Sequence, residues 1–250
     1  MTGRLAGKVA IVIGAGSSGP GWGNGKATAA LFAREGAKVM AVDNRAAAAE
    51  ETRAIIAGEG GTAIAQVADV TKRAEVEALV ARCVAAFGRV DILQNNVGIV
   101  EASPTDQTSD ESWERVLRVN LTSMFIACRA VVPQMVKQFE ADGRGGAIVN
   151  IGSISGIRWT GVPYISYAAS KSGIGGITRT IALEYARKGI RCNSILPGLM
   201  NTPMIREPLK QAYAGGDVDK MVAIRDAQCP MGRMGDAWDV AHAALFLASD

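Results

Sequence analysis

Six short apolar runs recur along the chain, at 9–13, 37–42, 62–67, 90–94, 147–151 and 190–196, and a longer stretch of helical spacing separates each from the next. The helical stretches are 26–34, 46–57, 73–87, 111–139 and 167–187. A strand that is apolar along its whole length has to be covered on both faces, the situation of a parallel sheet with helices above and below it. Strict strand–helix alternation over 250 residues therefore predicts an α/β class with a doubly wound parallel sheet, in a single domain spanning 1–250. Gly36, Gly88 and Gly189 stand where helices should stop, Asp110 ahead of Trp113 and Glu114 marks a helix start, and a last helix begins near Asp236. No linker, repeat or low-complexity tract interrupts the pattern.

Composition then narrows the classes of function. With 48% hydrophobic and 20% charged residues the chain is that of an ordinary folded domain, long enough to bury a core without disulfides. A net charge of +3 with scattered basic residues gives no nucleic-acid surface. Cys83, Cys128, Cys192 and Cys229 lie far apart with no CxxC pair, so neither a metal site nor a disulfide framework is expected. No uninterrupted apolar run reaches the ~18 residues of a membrane helix, and the first residues lack a signal-peptide core. The expectation is a cytoplasmic protein without a membrane partner, in which the sequon Asn120-Leu121-Thr122 is a chance match.

Glycine is over-represented, 29 residues against a usual share of ~7%, and it concentrates in a loop at 14–25. The loop follows the first strand and leads into a helix. That is where backbone must approach a pyrophosphate, and where the free N–H groups and dipole of a helix N-terminus favour an anion. An acid closes the next strand: Asp43, 29 residues after Gly14. A carboxylate there accepts hydrogen bonds from the adenosine ribose and repels a 2′-phosphate, so NAD is favoured over NADP, while Arg45 argues the other way. The glycine spacing admits two alignments, one running from Gly14 to Gly23, Asn24 and Gly25, the other using Gly19-Pro20-Gly21.

The reactive groups lie further on. Tyr167 and Lys171 are four residues apart on one helix and so project from the same face. Ser153 follows the fifth strand 14 residues before Tyr167, Asn120 lies in the long preceding helix, and Asn95-Asn96-Val97-Gly98 follows the fourth strand. Moving a hydride to or from a secondary alcohol carbon requires a proton to travel with it. A phenol is suited to that task once its pKa is lowered from about 10.

At these motifs the sequence resembles the short-chain dehydrogenase/reductase family over nearly all of its length. The resemblance implies a Rossmann fold, a dinucleotide bound by Gly14, Ser17, Gly23, Asn24, Gly25, Asp43, Asp69, Val70, Asn96, Gly98, Pro197, Gly198 and Thr202, and a catalytic set of Asn120, Ser153, Tyr167 and Lys171. In that set Tyr167 is the acid or base. Lys171 and the nicotinamide cation lower its pKa, Lys171 also holds the nicotinamide ribose, Ser153 polarises the substrate oxygen, and Asn120 anchors a water that relays the proton. Ser155, Tyr164, Leu199 and Met204 flank matched positions and are the candidate substrate contacts, with 199–232 as the substrate loop. The resemblance further implies a homotetramer built on the helices at 111–139 and 167–187.

The chain also departs from the family pattern. Ile13 stands where a threonine is usual, Val97 where an alanine is common, and residues 15–22 lengthen the glycine loop. The seventh strand and VDGG-like tail expected after the last helix are absent from these residues. The reading is an NAD-dependent oxidoreductase that interconverts a secondary alcohol and a ketone. The alternatives are an NADP-dependent 3-oxoacyl thioester reductase, for which Arg158, Arg206 and Lys210 would provide a basic mouth, and a non-catalytic dinucleotide-binding regulator.

Overall fold

In the computed structural model, which describes residues 3–206, 209 and 215–250, the six apolar runs are six parallel strands: β1 (Val9–Ile13), β2 (Lys38–Asp43), β3 (Ala63–Val67), β4 (Ile92–Asn95), β5 (Gly146–Ile151) and β6 (Ile190–Ile195). Their order across the sheet is β3-β2-β1-β4-β5-β6. The chain winds outward in one direction from β1 and then, returning to β4, in the other. A crevice is thereby left at the carboxyl ends of β1 and β4, where the loops part.

Both faces are covered. On one face α1 (Asn24–Arg34), α2 (Ala46–Gly58) and α8 (Ala237–Ala248) pack on Ala10, Val12, Val39, Ala41 and Ile92. On the other, α3 (Arg73–Phe87), α5 (Ser123–Asp142) and α6 (Ile165–Glu184) pack on Ile11, Ile13, Met40, Leu93 and Ile148. The alternation of Ala10 and Val12 with Ile11 and Ile13 between the two cores explains why the strand reads as continuously apolar.

Three features differ from the sequence reading in detail. The helix expected at 111–139 is α4 (Asp110–Leu117), a π turn at Arg118–Thr122 and α5 in unbroken succession. Its N-cap is Ser109, which accepts from the Ser112 N–H, rather than Asp110. By length and composition this run could cross a membrane, yet half of its apolar window is buried in the protein, as in a core helix. Finally, the stretch expected to be irregular after β6 contains helical residues at 203–206 and α7 (Val218–Ala227). Lys210 lies outside the described residues.

Two side chains extend the sheet's hydrogen bonding where β4 begins. The buried Gln138 of α5 accepts from the Val90 N–H and donates to its carbonyl, both at 2.9 Å. Asp91 accepts from the Val9 N–H at 2.9 Å and pairs with Arg89 at 2.7 Å. Replacing Gln138 with Leu keeps the volume but strands a buried donor and acceptor. Urea unfolding of Gln138→Leu is expected to show a loss of about 3 kcal/mol, and a loss below ~0.5 kcal/mol would show that Val90 is satisfied without it.

Candidate active site

The crevice opens into a cavity of about 440 Å³ that runs from the end of β2, over β1 and β4, to the ends of β5 and β6. Its wall includes Gly14, Ser17, Gly23, Asn24, Asp43, Asp69, Val70, Asn96, Gly98, Ser153, Ser155, Tyr164, Tyr167, Lys171, Pro197, Gly198, Leu199, Thr202 and Met204. Residues singled out across the whole sequence are thus brought to one surface. Two of the set are not on the wall, Gly25 and Asn120; each stands behind it.

At the β1 end, Gly14 has φ +74°, and a side chain there would meet the Val97 backbone at 3.1 Å. A Cβ on Gly25 would lie 1.9 Å from the Gly14 carbonyl oxygen, so α1 can begin directly against the loop only without one. Gly23 is the N-cap of α1 and offers no side-chain cap, and no acid occupies the first turn, so the first N–H groups are left for a ligand. Nearby, Ser17 Oγ and Asn24 Oδ1 are buried without a hydrogen-bond partner among the described residues. Orphaned polar atoms beside an uncapped helix N-terminus are what a bound pyrophosphate would satisfy. Gly19 and Gly21 lie instead against Pro203, off the cavity wall. The geometry accordingly supports the alignment through Gly14, Gly23 and Gly25.

The lengthened loop is held from behind. Trp22 packs against Trp238 of α8, with ring centroids 4.7 Å apart and the planes tilted by 54°. Lys26 pairs with Glu51 at 2.6 Å and lies over the Trp22 ring.

At the β2 end, Asp43 accepts from the N–H groups of Gly16 at 3.1 Å and Arg45 at 3.0 Å. Arg45 lies beside it, its Nε 3.7 Å from Asp43 Oδ1, and donates to the Ser17 carbonyl. Asp69 accepts from the Thr71 hydroxyl at 2.7 Å, and that bond foremost holds its carboxyl below the usual range.

The reactive end sits above β4 and β5. Lys171 is buried and donates to the Ile151 carbonyl at 2.8 Å. Burial without a carboxylate partner lowers its ammonium to about 8. Its Nζ is 5.7 Å from the Tyr167 ring centroid. The Tyr167 phenol is pushed up by burial, with the Ser153 hydroxyl and the more distant Arg225 charge opposing. The depression of Tyr167 expected from Lys171 is therefore not built into the protein alone.

Asn120, fully buried in the π turn, pairs with Ile99 on both sides: Oδ1 accepts from its N–H at 2.8 Å and Nδ2 donates to its carbonyl at 2.9 Å. The second amide hydrogen goes to Ser170 Oγ at 3.1 Å. The amide donors are thus committed to the fold, and burial also removes Asn120 from any glycosylation chemistry. Gly98 packs where a Cβ would be 3.4 Å from Lys171 Nζ and 3.6 Å from Asn120 Oδ1, so these two polar atoms border one small space.

Among the wall residues that the sequence did not mark are Gly16, Thr160 and Arg225. Gly16 carries the N–H that orients Asp43, but within a glycine-rich loop it reads as spacer. Thr160 contributes a hydroxyl, with no motif marking it. Arg225 is a buried cation on α7 that lines the cavity and approaches Met234 Sδ at 3.3 Å; only its place within 199–232 hinted at it. Of the methionines in and just after that stretch, Met200 and Met204 line the cavity, Met221 and Met234 are packed in a small core with Tyr164 and Ile205, and Met231 is exposed. His242 is exposed on α8, away from the cavity.

Comparison with known proteins agrees with this geometry. Residues 8–212 match the family model described as short chain dehydrogenase. A 3beta-hydroxysteroid dehydrogenase of Eggerthella lenta is 40% identical, the match covering 98% of this chain and 88% of that protein. A 3-oxoacyl-acyl-carrier-protein reductase of Thermotoga maritima is 38% identical, covering 99% and 92%. A crystal structure of a short-chain dehydrogenase/reductase from Burkholderia xenovorans superimposes with a TM-score of 0.92 at 50% identity, covering 99% of this chain and 92% of the other.

The buried lysine generates a test of the site's electrostatics. The unfolded amine titrates near 10.5 and the folded one near 8, so between these values the unfolded chain binds more protons and stability rises with pH. Relative to a Lys171→Met variant, the wild type should therefore gain unfolding free energy between pH 7.5 and pH 10 in parallel urea titrations. A difference that stays flat would show that the ammonium is not desolvated.

Proposed function

The chain belongs to the short-chain dehydrogenase/reductase family, and on that footing we propose that it is an NAD-dependent oxidoreductase interconverting a small secondary alcohol and the corresponding ketone. The carrying observation is the single cavity that joins an uncapped helix N-terminus with orphaned Ser17 and Asn24 at one end to Ser153, Tyr167 and Lys171 at the other.

Members of the family use NAD(P), which when bound accepts or delivers the hydride. The protein's own part is proton transfer and orientation. Ser153 donates a hydrogen bond to the substrate oxygen. Tyr167 takes the alcohol proton in oxidation and returns it in reduction. Because burial raises the phenol, it is held protonated in the protein alone, and the charges that lower it must assemble in the complex. Lys171 is one such charge, and burial brings its own pKa down to about 8. Lys171 Nζ and Asn120 Oδ1 border the space over Gly98, where the relay water would bridge them.

The preference for NAD rests on Asp43. Its carboxylate faces the adenosine end, and Arg45 is already paired with it and with the Ser17 carbonyl. A 2′-phosphate would have to draw the guanidinium from both and accept the repulsion of Asp43. Arg45, with the exposed Arg158 and Arg206, is what favours the second reading, reduction of a 3-oxoacyl thioester with NADPH. The exposed Trp113, Phe125 and Leu183 on the α4–α5 run and α6 support assembly as a homotetramer through those helices.

Two measurements test these readings. Fluorescence titration should show NADH binding at least about 10-fold more tightly than NADPH, about 1.4 kcal/mol; tighter NADPH binding puts the thioester reading first. Tyr167→Phe should retain NADH binding while turnover of secondary alcohols falls about 10³-fold. An active wild type beside that dead variant excludes a purely regulatory binder, whereas turnover surviving the substitution would remove Tyr167 from its role.

A further inference from the structure

The lengthened glycine loop is fastened unevenly. Its first residues are tied to β2 and α2: Thr52 donates to the Ala15 carbonyl at 2.8 Å, Asp43 accepts from the Gly16 N–H, and Arg45 donates to the Ser17 carbonyl. Residues 18–22 have far less. Among the described residues they make no backbone–backbone hydrogen bond, and one side-chain bond reaches them, from Lys26 Nζ to the Gly21 carbonyl at 3.4 Å. Ser18, Pro20 and Gly21 are exposed. A glycine-rich segment so placed would wander over many conformations unless something else held it.

What holds it is a stack of two rings between two cations. Trp22 meets Trp238 of α8, Lys26 Nζ lies 5.2 Å from the Trp22 ring centroid, and the Arg34 guanidinium lies 4.8 Å from that of Trp238. Lys26 and Arg34 stand about 12 Å apart along α1, and the rings lie between them. Each cation is itself braced, Lys26 by Glu51 of α2 at 2.6 Å and Arg34 by Glu59 at the end of α2 through two bonds at 2.7 and 2.8 Å. Every one of these contacts favours the rings staying where they are. Lys26 also stands in the first turn of α1, where the helix dipole disfavours a cation and no acid is present. None of the four stacked side chains is on the cavity wall.

The stack reaches the site through Gly23. Trp22 is joined to Gly23, which packs closely on the first half of the loop. An added Cβ there would be 3.3 Å from the Gly16 carbonyl oxygen and 3.5 Å from Ser17 Oγ. Gly23 is also the N-cap of α1. Holding Trp22 therefore holds Ser17 Oγ and the open N-terminus of α1 in one arrangement before any ligand arrives. A loop ordered in advance does not lose that ordering entropy on binding. We infer that the Trp22–Trp238 contact, braced by Lys26 and Arg34, is a positioning device that preorganises the lengthened loop for the pyrophosphate of a dinucleotide. This role lies outside the cavity and rests on the dinucleotide-binding reading of it.

The test is calorimetric titration of ADP-ribose, which carries the pyrophosphate, and of adenosine, which does not, into wild type, Trp238→Leu and Trp238→Phe. Trp238→Leu should weaken ADP-ribose about 10-fold and adenosine less than about 2-fold. Trp238→Phe, which keeps a ring against Trp22, should restore ADP-ribose to within about 3-fold of wild type. Trp22→Leu, on the loop side of the contact, should reproduce the loss and serves if Trp238→Leu does not fold. Hydrogen exchange in the ligand-free protein should be at least about 10-fold faster at residues 15–22 in both leucine variants. Gln138→Leu, which weakens the fold elsewhere, is the control and should leave both affinities within about 2-fold of wild type. Undiminished ADP-ribose binding or unchanged exchange in the leucine variants would overturn the positioning role. So would equal losses on both ligands, or the same loss in Gln138→Leu. In those outcomes a wild type that binds ADP-ribose keeps the dinucleotide reading intact. A wild type that binds adenosine as well as it binds ADP-ribose would sink that reading and the positioning role with it.

Discussion

Much of the reactive end depends on one buried amide. Asn120 completes a two-sided pairing with the Ile99 backbone and spends its last donor on Ser170 Oγ, which in turn donates to the Tyr167 carbonyl at 2.7 Å. Three segments distant in sequence, the loop after β4, the long helical run and α6, are locked together through one side chain. The amide is placed by the π turn at Arg118–Thr122, whose wider winding departs from the ordinary helical path at that point. A buried amide with all its donors met is stable, and one with a donor missing is costly. Sliding α6 relative to β4 would break this set, so Tyr167 and Lys171 are held in register with Gly98.

A second polar ladder lies beneath the site. Asn95 donates to Asn150 Oδ1 at 2.9 Å, and Asn150 donates to Thr178 Oγ1 at 3.0 Å, crossing from β4 through β5 to α6 inside the core. With Gly156 packed so closely on Lys171 that a Cβ would be 2.7 Å from its backbone, α6 is fixed at its reactive end from below and from the side. That rigidity matters because no carboxylate among the described residues anchors Lys171; its ammonium is oriented by the Ile151 carbonyl alone among its described hydrogen bonds. The electrostatics of the site are therefore those of a desolvated cation beside a desolvated phenol, each pushed toward its neutral form. Binding of a charged ligand changes both.

The lengthened glycine loop links the cofactor end to the substrate end. It leans on α8 through Trp22 and Trp238 and passes near Pro203 at Gly19 and Gly21, where an added Cβ would come within 3.5 and 3.8 Å of the proline ring. Pro203 begins the helical residues that carry Met204 and Ile205 into the cavity. The sequence showed that the loop was long and did not show which way it turned, because glycines in a row permit many paths and only the packing of Trp22 selects one. The same limit applied to Gly16 and Thr160, whose roles come from what lies opposite them.

Read without coordinates, the chain determined its own architecture. The period-2 and period-3.6 patterns are local properties, and six continuously apolar strands admit few arrangements besides a parallel sheet covered on both faces. The spacing of Tyr167 and Lys171 on one helix was local in the same way. What the tertiary structure alone decided is what depends on distances between remote segments. These include the placing of Gly14 and Gly23 on the cavity wall with Gly25 behind them, the commitment of Asn120 to Ile99 and Ser170, the upward shift of Tyr167, and the 3.2 Å step from Ser153 to Ser155. Desolvation and hydrogen-bond geometry are set by every group that packs around an atom, and no stretch of sequence carries that sum.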